Sequence, residues 1–322
     1  MSALNKKSFL TYLKEGGIYV VLLVLLAIII FQDPTFLSLL NLSNILTQSS
    51  VRIIIALGVA GLIVTQGTDL SAGRQVGLAA VIAATMLQAV DNANKVFPEM
   101  ATMPIPLVIL LVCAIGAVIG LINGIIIAYL NVTPFITTLG TMIIVYGINS
   151  LYYDFVGASP ISGFDSHFSQ FAQGFVALGS FRLSYITFYA LIAVFFVWIL
   201  WNKTRFGKNI FAIGGNPEAA RLSGLRITRY KVAAYVIASL LAGLGGILLA
   251  SRIGSSQVNA GGGYLMDAVA AAWIGFSLAG SGKPNALGTL VGAVILGVLS
   301  NGLVMLSVPY YAMDIIKGLV LA

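Results

Sequence analysis

The side chains able to do chemistry in this sequence are few, and their spacing points away from catalysis. One histidine (His167), one cysteine (Cys113) and ten acidic residues are scattered over 322 positions. No nucleophile stands near a base, and no pair of histidines has the spacing of a metalloprotease helix. No catalytic residue and no metal site is expected, and a single cysteine cannot form an internal disulfide. Ser281-Gly282-Lys283 resembles the end of a phosphate loop. However, Ser277 stands where the first glycine belongs and Pro284 follows the lysine, so the chain itself is not expected to bind ATP.

What the sequence does offer is a small capped helix in its most basic loop. Asn216 can accept the first free amides, and Pro217 suits the first helical position, which needs no amide proton. Glu218 faces the positive end of the helix dipole. After Ala219, Ala220 and Arg221, Gly224 can take the left-handed turn that stops a helix. The predicted helix, 217–223, is too short to be stable alone and has to be held by something else.

A second set of polar residues sits within the apolar runs. Asp69, in Thr65-Gln66-Gly67-Thr68-Asp69-Leu70-Ser71-Ala72-Gly73-Arg74, is either a cap for the following helix or an ionisable functional group at a helix break. Thr138, Thr141, Val145, Asn149 and Tyr152 share one helical face, and Asn123 could join them. Hydroxyls, amides and a phenol suit a translocation path for a neutral polar solute. They equally suit hydrogen bonding between helices. Asp267 has no partner evident in the sequence.

The elements that must position these residues follow from composition. The chain is 59% hydrophobic and 8% charged, with a mean hydropathy of +1.01. A soluble domain carries about 25% charged residues, so an all-α polytopic membrane protein is expected, as a single transmembrane domain over 1–322. Ten apolar spans approach the ~20 residues needed to cross a bilayer: about 17–32, 48–66, 74–90, 105–129, 134–153, 184–202, 230–250, 264–281, 285–306 and 309–322. The first is read as an uncleaved helix. Arg52 is expected to snorkel from one end of the second.

The net charge of +7 could suggest nucleic acid, but the basic residues lie in short loops, which membrane orientation explains better. Lys203, Arg205, Lys208, Arg221, Arg226, Arg229 and Lys231 oppose only Glu218 in and beside the loop 203–229, which is therefore expected to be cytoplasmic. Lys6, Lys7 and Lys14 place the N-terminus on the same side, and six intervening helices agree with that parity.

Asn123-Gly124 followed by Pro134 recurs as Asn301-Gly302 followed by Pro309. This raises the expectation of an inverted internal repeat relating helices 2–5 to helices 7–10. Glycines four residues apart (Gly116, Gly120 and Gly124; Gly73 and Gly77; Gly288 and Gly292) predict close helix packing within the chain rather than a dimer seam.

Glu218-Ala219-Ala220, followed by Gly224 in a loop about a hundred residues from the end, resembles the EAA signature of ABC importer permeases. Gln66 to Gly73 resembles the Gly-x-Asp-Leu-Ser-x-Gly segment of the ribose/galactose/xylose permease family. Gly120-Leu121-Ile122-Asn123-Gly124 and Thr133 to Thr141 resemble that family's next two blocks, and Arg205-Phe206-Gly207-Lys208 through Gly224 continues the likeness. Up to about residue 220 the pattern is similar to the galactose/methyl-galactoside branch, and after Arg221 it looks more like a pentose-type relative. The resemblance implies a bacterial inner-membrane location and a homodimer or pseudo-dimer of permeases. It also implies two cytoplasmic ATPase subunits carrying ATP and Mg, and a periplasmic sugar-binding protein. On that reading the helix at 217–223 fits a cleft on the ATPase. A secondary transporter is the rival, with Asp69, Asp267 and Asp314 as its coupling carboxylates; a membrane enzyme would lack a catalytic constellation.

Overall fold

The structure, a computed structural model, describes residues 23–179, 181–278 and 285–321. The N-terminal lysines, the start of the first span and Ser281 to Lys283 lie outside the described residues.

The order is α1 (Leu23–Gln32), a 3-10 turn (Pro34–Leu37), α2 (Leu39–Val64), α3 (Ala72–Met86), α4 (Ile105–Ala128) and α5 (Pro134–Val156). Next come β1 (Ile161–Ser162), α6 (Ser166–Gln173), the hairpin β2 (Phe175–Leu178) and β3 (Phe181–Ser184), and α7 (Tyr185–Asn202). The chain closes with α8 (Arg205–Gly215), α9 (Pro217–Leu222), α10 (Ile227–Ile253), β4 (Ser255–Ser256), α11 (Gly262–Leu278), α12 (Ala286–Met305) and α13 (Tyr310–Leu321).

Each predicted apolar span holds a helix. Among the described residues, six of these (α2, α4, α5, α7, α10 and α12) are long and apolar enough to cross a membrane. α3, α11 and α13 are shorter, at 15, 17 and 12 residues.

α2 begins at Leu39, nine residues before its predicted start at 48. Ser38 caps it, its hydroxyl accepting the Asn41 amide at 3.2 Å. The polar side chains ahead of position 48 are satisfied within the bundle, and the Thr47 hydroxyl donates one turn back to the Ser43 carbonyl at 2.9 Å. Ser49 and Ser50 donate to the carbonyls of Ile45 and Leu46, each at 2.7 Å. Asn41 Nδ2 donates across the bundle to Asn301 Oδ1 at 2.9 Å. Polar groups facing a neighbouring helix are satisfied there and need no water.

α2 and α10 form the centre. Their apolar windows are 72% and 67% buried, against 22% for α4 and α5, which therefore lie at the periphery of this chain. α10 packs on α2, α3 and α4, and α2 packs on α10, α11 and α12. That exchange of partners is the one a two-fold relating α2–α5 to α10–α13 requires.

The glycine faces pack inside the chain. A Cβ on Gly120 would stand 2.6 Å from the Tyr235 carbonyl oxygen, and one on Gly124 2.8 Å from Val232 Cα. Gly288 and Gly292 likewise meet the carbonyls of Gly275 and Ala271 on α11.

Candidate functional site

The capped helix forms as α9, one residue shorter than predicted. Asn216 Oδ1 accepts the Ala219 amide at 3.0 Å, and Pro217 opens the helix. Gly224 has φ +82°, and beyond it the Leu225 amide reaches back to the Ala220 carbonyl at 3.1 Å. This is a glycine-terminated stop that satisfies a carbonyl otherwise left free. Glu218 and Arg221 pair at 2.6 Å with both side chains about two-thirds exposed, so the pair contributes only about 0.2–0.5 kcal/mol. Ala220 is buried; Asn216, Pro217, Glu218, Ala219, Arg221 and Gly224 are exposed, and Leu222 is 80% exposed. The unit presents its face outward.

What holds it is α8, a helix within the loop expected at 203–229. Phe206, Ile210 and Ile213 recur at helical spacing. Ile210 and Ile213 are buried, and with Phe206 the helix joins a cluster with Leu62, Val64, Ile127 and Tyr235. Thr204 caps α8 by accepting the Gly207 amide at 3.3 Å. Gly207 and Gly214 sit flat on backbone: a Cβ at either would stand 2.0 or 1.9 Å from the carbonyl oxygens of Trp201 and Val64.

From α8 a line of hydrogen bonds leads into the bundle. Gln66, with φ +58°, donates from Nε2 to the Gly214 carbonyl at 3.1 Å. In the same 65–71 loop Asp69 is 2% exposed. Its Oδ1 accepts the Ser71 amide at 2.8 Å and hydroxyl at 2.5 Å, and its Oδ2 accepts Gln75 Nε2 at 3.3 Å. The Ser71 hydroxyl in turn accepts Asn123 Nδ2 at 3.2 Å, and Thr141 donates to Asn123 Oδ1 at 2.6 Å. The Leu70 amide donates to Thr138 Oγ1 at 3.1 Å. Asp69, Asn123, Thr138 and Thr141 thus form one network joining the loop to α4 and α5.

Asp69 is not the cap of α3, whose N-cap residue is Ser71; it holds the turn just ahead of that helix through the Ser71 amide and hydroxyl. Arg74 points elsewhere, to Asn259 Oδ1 at 3.0 Å and over the Tyr146 ring at 4.4 Å. Asn149 and Tyr152 stand apart from the network. They line a cavity of about 220 Å³ between α3, α5 and the 97–100 loop. Tyr152 shares a 2.8 Å hydrogen bond with Thr85 there, and Asn149 Oδ1 has no protein partner among the described residues. Gln75, one turn after Ser71 on α3, is the network member that sequence reasoning missed; its i, i+4 spacing was the available signal.

One expectation is corrected where α2 meets α11, and one open assignment is filled. Arg52 does not snorkel: its Nε contacts Asp267 Oδ2 at 2.7 Å with only 12% of its side chain exposed. Asp267 therefore has a partner, and a second in Lys317 at 3.2 Å. The three residues are 215 and 50 positions apart in the chain, which is why no local pattern reveals them.

Comparison with known proteins bears on this arrangement. Residues 41–322 match the family described as "Branched-chain amino acid transport system / permease component". The chain belongs to that family. It is 75% identical over 321 residues to the galactose/methyl galactoside import permease protein MglC of Escherichia coli K12, covering 100% of this chain and 96% of the relative. It is 63% identical over 318 residues to the protein of the same description from Haemophilus influenzae, covering 99% and 95%. The ribose import permease protein RbsC of E. coli K12 is 36% identical over 313 residues, covering 96% and 92%. The expected change of character after Arg221 does not interrupt the first of these alignments, which runs the length of the chain. No solved structure matches the chain. Membership makes the chain a multi-pass permease, and the network and outward-facing α9 belong to a transport subunit rather than an enzyme.

Proposed function

We propose that this chain is the membrane-spanning subunit of a binding-protein-dependent ABC importer that carries galactose and methyl galactosides across the bacterial inner membrane. The observation that carries the substrate is the 75% identity along the whole chain to permeases named for those sugars. Two copies form the transport unit, each a single domain over 1–322 with its N-terminus cytoplasmic. Two cytoplasmic ATPase subunits hold ATP and Mg, and a periplasmic binding protein delivers the sugar.

The geometry supports a route for the work. α9 is capped at both ends, exposed on one face and seated on the bundle through α8, so it suits a cleft on the ATPase. ATP-driven closure of the ATPase pair displaces α8 and α9 together. The Gln66–Gly214 bond passes that displacement to the 65–71 loop, and the Asp69–Ser71–Asn123–Thr141 network passes it to α4 and α5. The transporter then alternates between states in proportion to each ligand's differential affinity for them.

Reconstitution of the chain with its ATPase and binding protein in proteoliposomes tests this. Galactose uptake that requires ATP inside and the binding protein outside is the expected result. Uptake that survives omission of the ATPase and collapses with the ion gradient would replace the proposal with ion-coupled transport.

A further inference from the structure

Charged residues of α2, α11 and α13 line a common space. Arg52 on α2, Asn259 in the 254–261 loop, Tyr264 and Asp267 on α11, and Asp314 and Lys317 on α13 line a cavity of about 720 Å³. That lies within the ~300–1,000 Å³ of small-molecule sites, which set a few polar groups in a mostly apolar wall.

Its polar groups are incompletely used by one another. Arg52 spends Nε on Asp267, but its buried Nη1 has no protein partner among the described residues. Tyr264 lies beneath the Arg52 guanidinium, 5.8 Å from ring centroid to Cζ, and its hydroxyl accepts Arg252 Nη2 at 3.0 Å. A buried ion pair is a weak device for stability alone, since an apolar replacement often serves as well. An ionisable cluster within a membrane bundle calls for a functional reading, all the more with a donor left over.

We propose that this cavity is a sugar subsite of the transport path, distinct from the polar face of α5. The proposal rests on the sugar-importer reading. A sugar hydroxyl both donates and accepts. The cavity presents donors (Arg52, Lys317), acceptors (Asp267, Asp314), an amide that does both (Asn259) and an aromatic ring (Tyr264). Opposed charges at the same site leave no strong preference for an ion of either sign, while each charged group makes a stronger hydrogen bond to a hydroxyl than a neutral one does.

The single cysteine makes the test direct. In a Cys113→Ser background, Gly263→Cys and Met266→Cys each place one thiol on the cavity wall; a Cβ at Gly263 meets nothing within 4 Å, and Met266 is 65% exposed. The assembled importer in nanodiscs is labelled with a small hydrophilic methanethiosulfonate while galactose is titrated. Labelling should slow as the sugar occupies the site, roughly tenfold once galactose stands at nine times its Kd. Adding Asn259→Ala should shift that protection to higher galactose.

A thiol that never reacts shows the cavity closed to solutes and overturns the proposal. Protection by inorganic phosphate but not by galactose overturns it in favour of an anion site. Equal protection by glycerol at matched osmolarity removes the sugar assignment. ATP-driven galactose uptake with no protection at either cysteine sinks the subsite and leaves the functional reading standing. Protection in an importer that takes up no galactose keeps the subsite and removes that reading.

Discussion

Gln66 and Gly214 meet across the seam between the 65–71 loop and α8, with side-chain amide on carbonyl oxygen at 3.1 Å. Two positions away from Gln66 in the chain, the Val64 carbonyl presses on Gly214 so closely that a Cβ there would stand 1.9 Å from it. This seam adds a close polar and backbone contact to the apolar cluster around Ile210 that already seats α8 on the bundle.

Gly214→Ala forces that seam apart. Overpacking of this kind costs about 1–3 kcal/mol. We expect the variant to insert in the membrane and bind the ATPase, but to hydrolyse ATP without proportionate uptake. The uptake-to-hydrolysis ratio in proteoliposomes measures this, and a ratio equal to that of the unaltered importer would break the link.

Gly224→Val addresses the far end of α9. No atom lies within 4 Å of its Cβ position, so space is not the obstacle; φ of +82° is. The left-handed conformation costs an L-residue about 1–2 kcal/mol. Retention of the ATPase through detergent purification should fall, whereas Gly215→Ala, equally uncrowded and without positive φ, should retain it. Equal retention by both variants would show that the stop of α9 does not matter to the ATPase.

The Asn123–Thr141 bond can be weighed by a double-mutant cycle with Asn123→Ala and Thr141→Val. Interhelical hydrogen bonds in membranes average about 0.6 kcal/mol and reach about 1.7. We expect a coupling energy near the upper value, because Asn123 is fully buried and also donates to Ser71. Thermal or detergent unfolding of the four forms gives the number, and additive effects would show the two side chains to be independent.

Glycine contacts predict contrasting outcomes on neighbouring helices. Gly120→Ala puts a methyl 2.6 Å from the Tyr235 carbonyl, while at Gly147 on α5 a Cβ meets nothing within 4 Å. The first should lower the melting temperature of the purified chain, and the second should leave it unchanged. Loss of stability only at Gly147 would place a partner on α5 and contradict the packing of α4.

Local patterns in the sequence proved readable, and distant pairings did not. The cap at Asn216, the stop at Gly224 and the apolar spans depend on neighbours within a turn or a helix length. α8 was hidden because its eleven residues are too few for a span and Arg205 and Lys208 belong to the basic loop, although Phe206, Ile210 and Ile213 carry its buried face. The start of α2 was hidden because Asn41, Ser43, Asn44 and Thr47 break up the apolar run ahead of position 48, and the partners of Asn41 and Thr47 lie across on α12 or one turn back. Arg52 and Asp267 were legible singly, as charges in apolar runs, but their pairing depends on how α2 and α11 lie together. Among the polar-face residues, Thr138 is tied to the 65–71 loop and Thr141 to Asn123 on α4, while Asn149 and Tyr152 face a cavity.

The close approach of α4 and α10 at Gly116, Gly120 and Gly124 leaves little side chain between the two rods to be rearranged: at those levels only the Ser239 hydroxyl and a Val232 methyl come near the glycines. A seam of that kind can stay shut or open as a void, with no second packing to settle into. α4 and α10 must then travel as one stiff spar through the transport cycle, and any hinge has to be sought around that spar, not along its length.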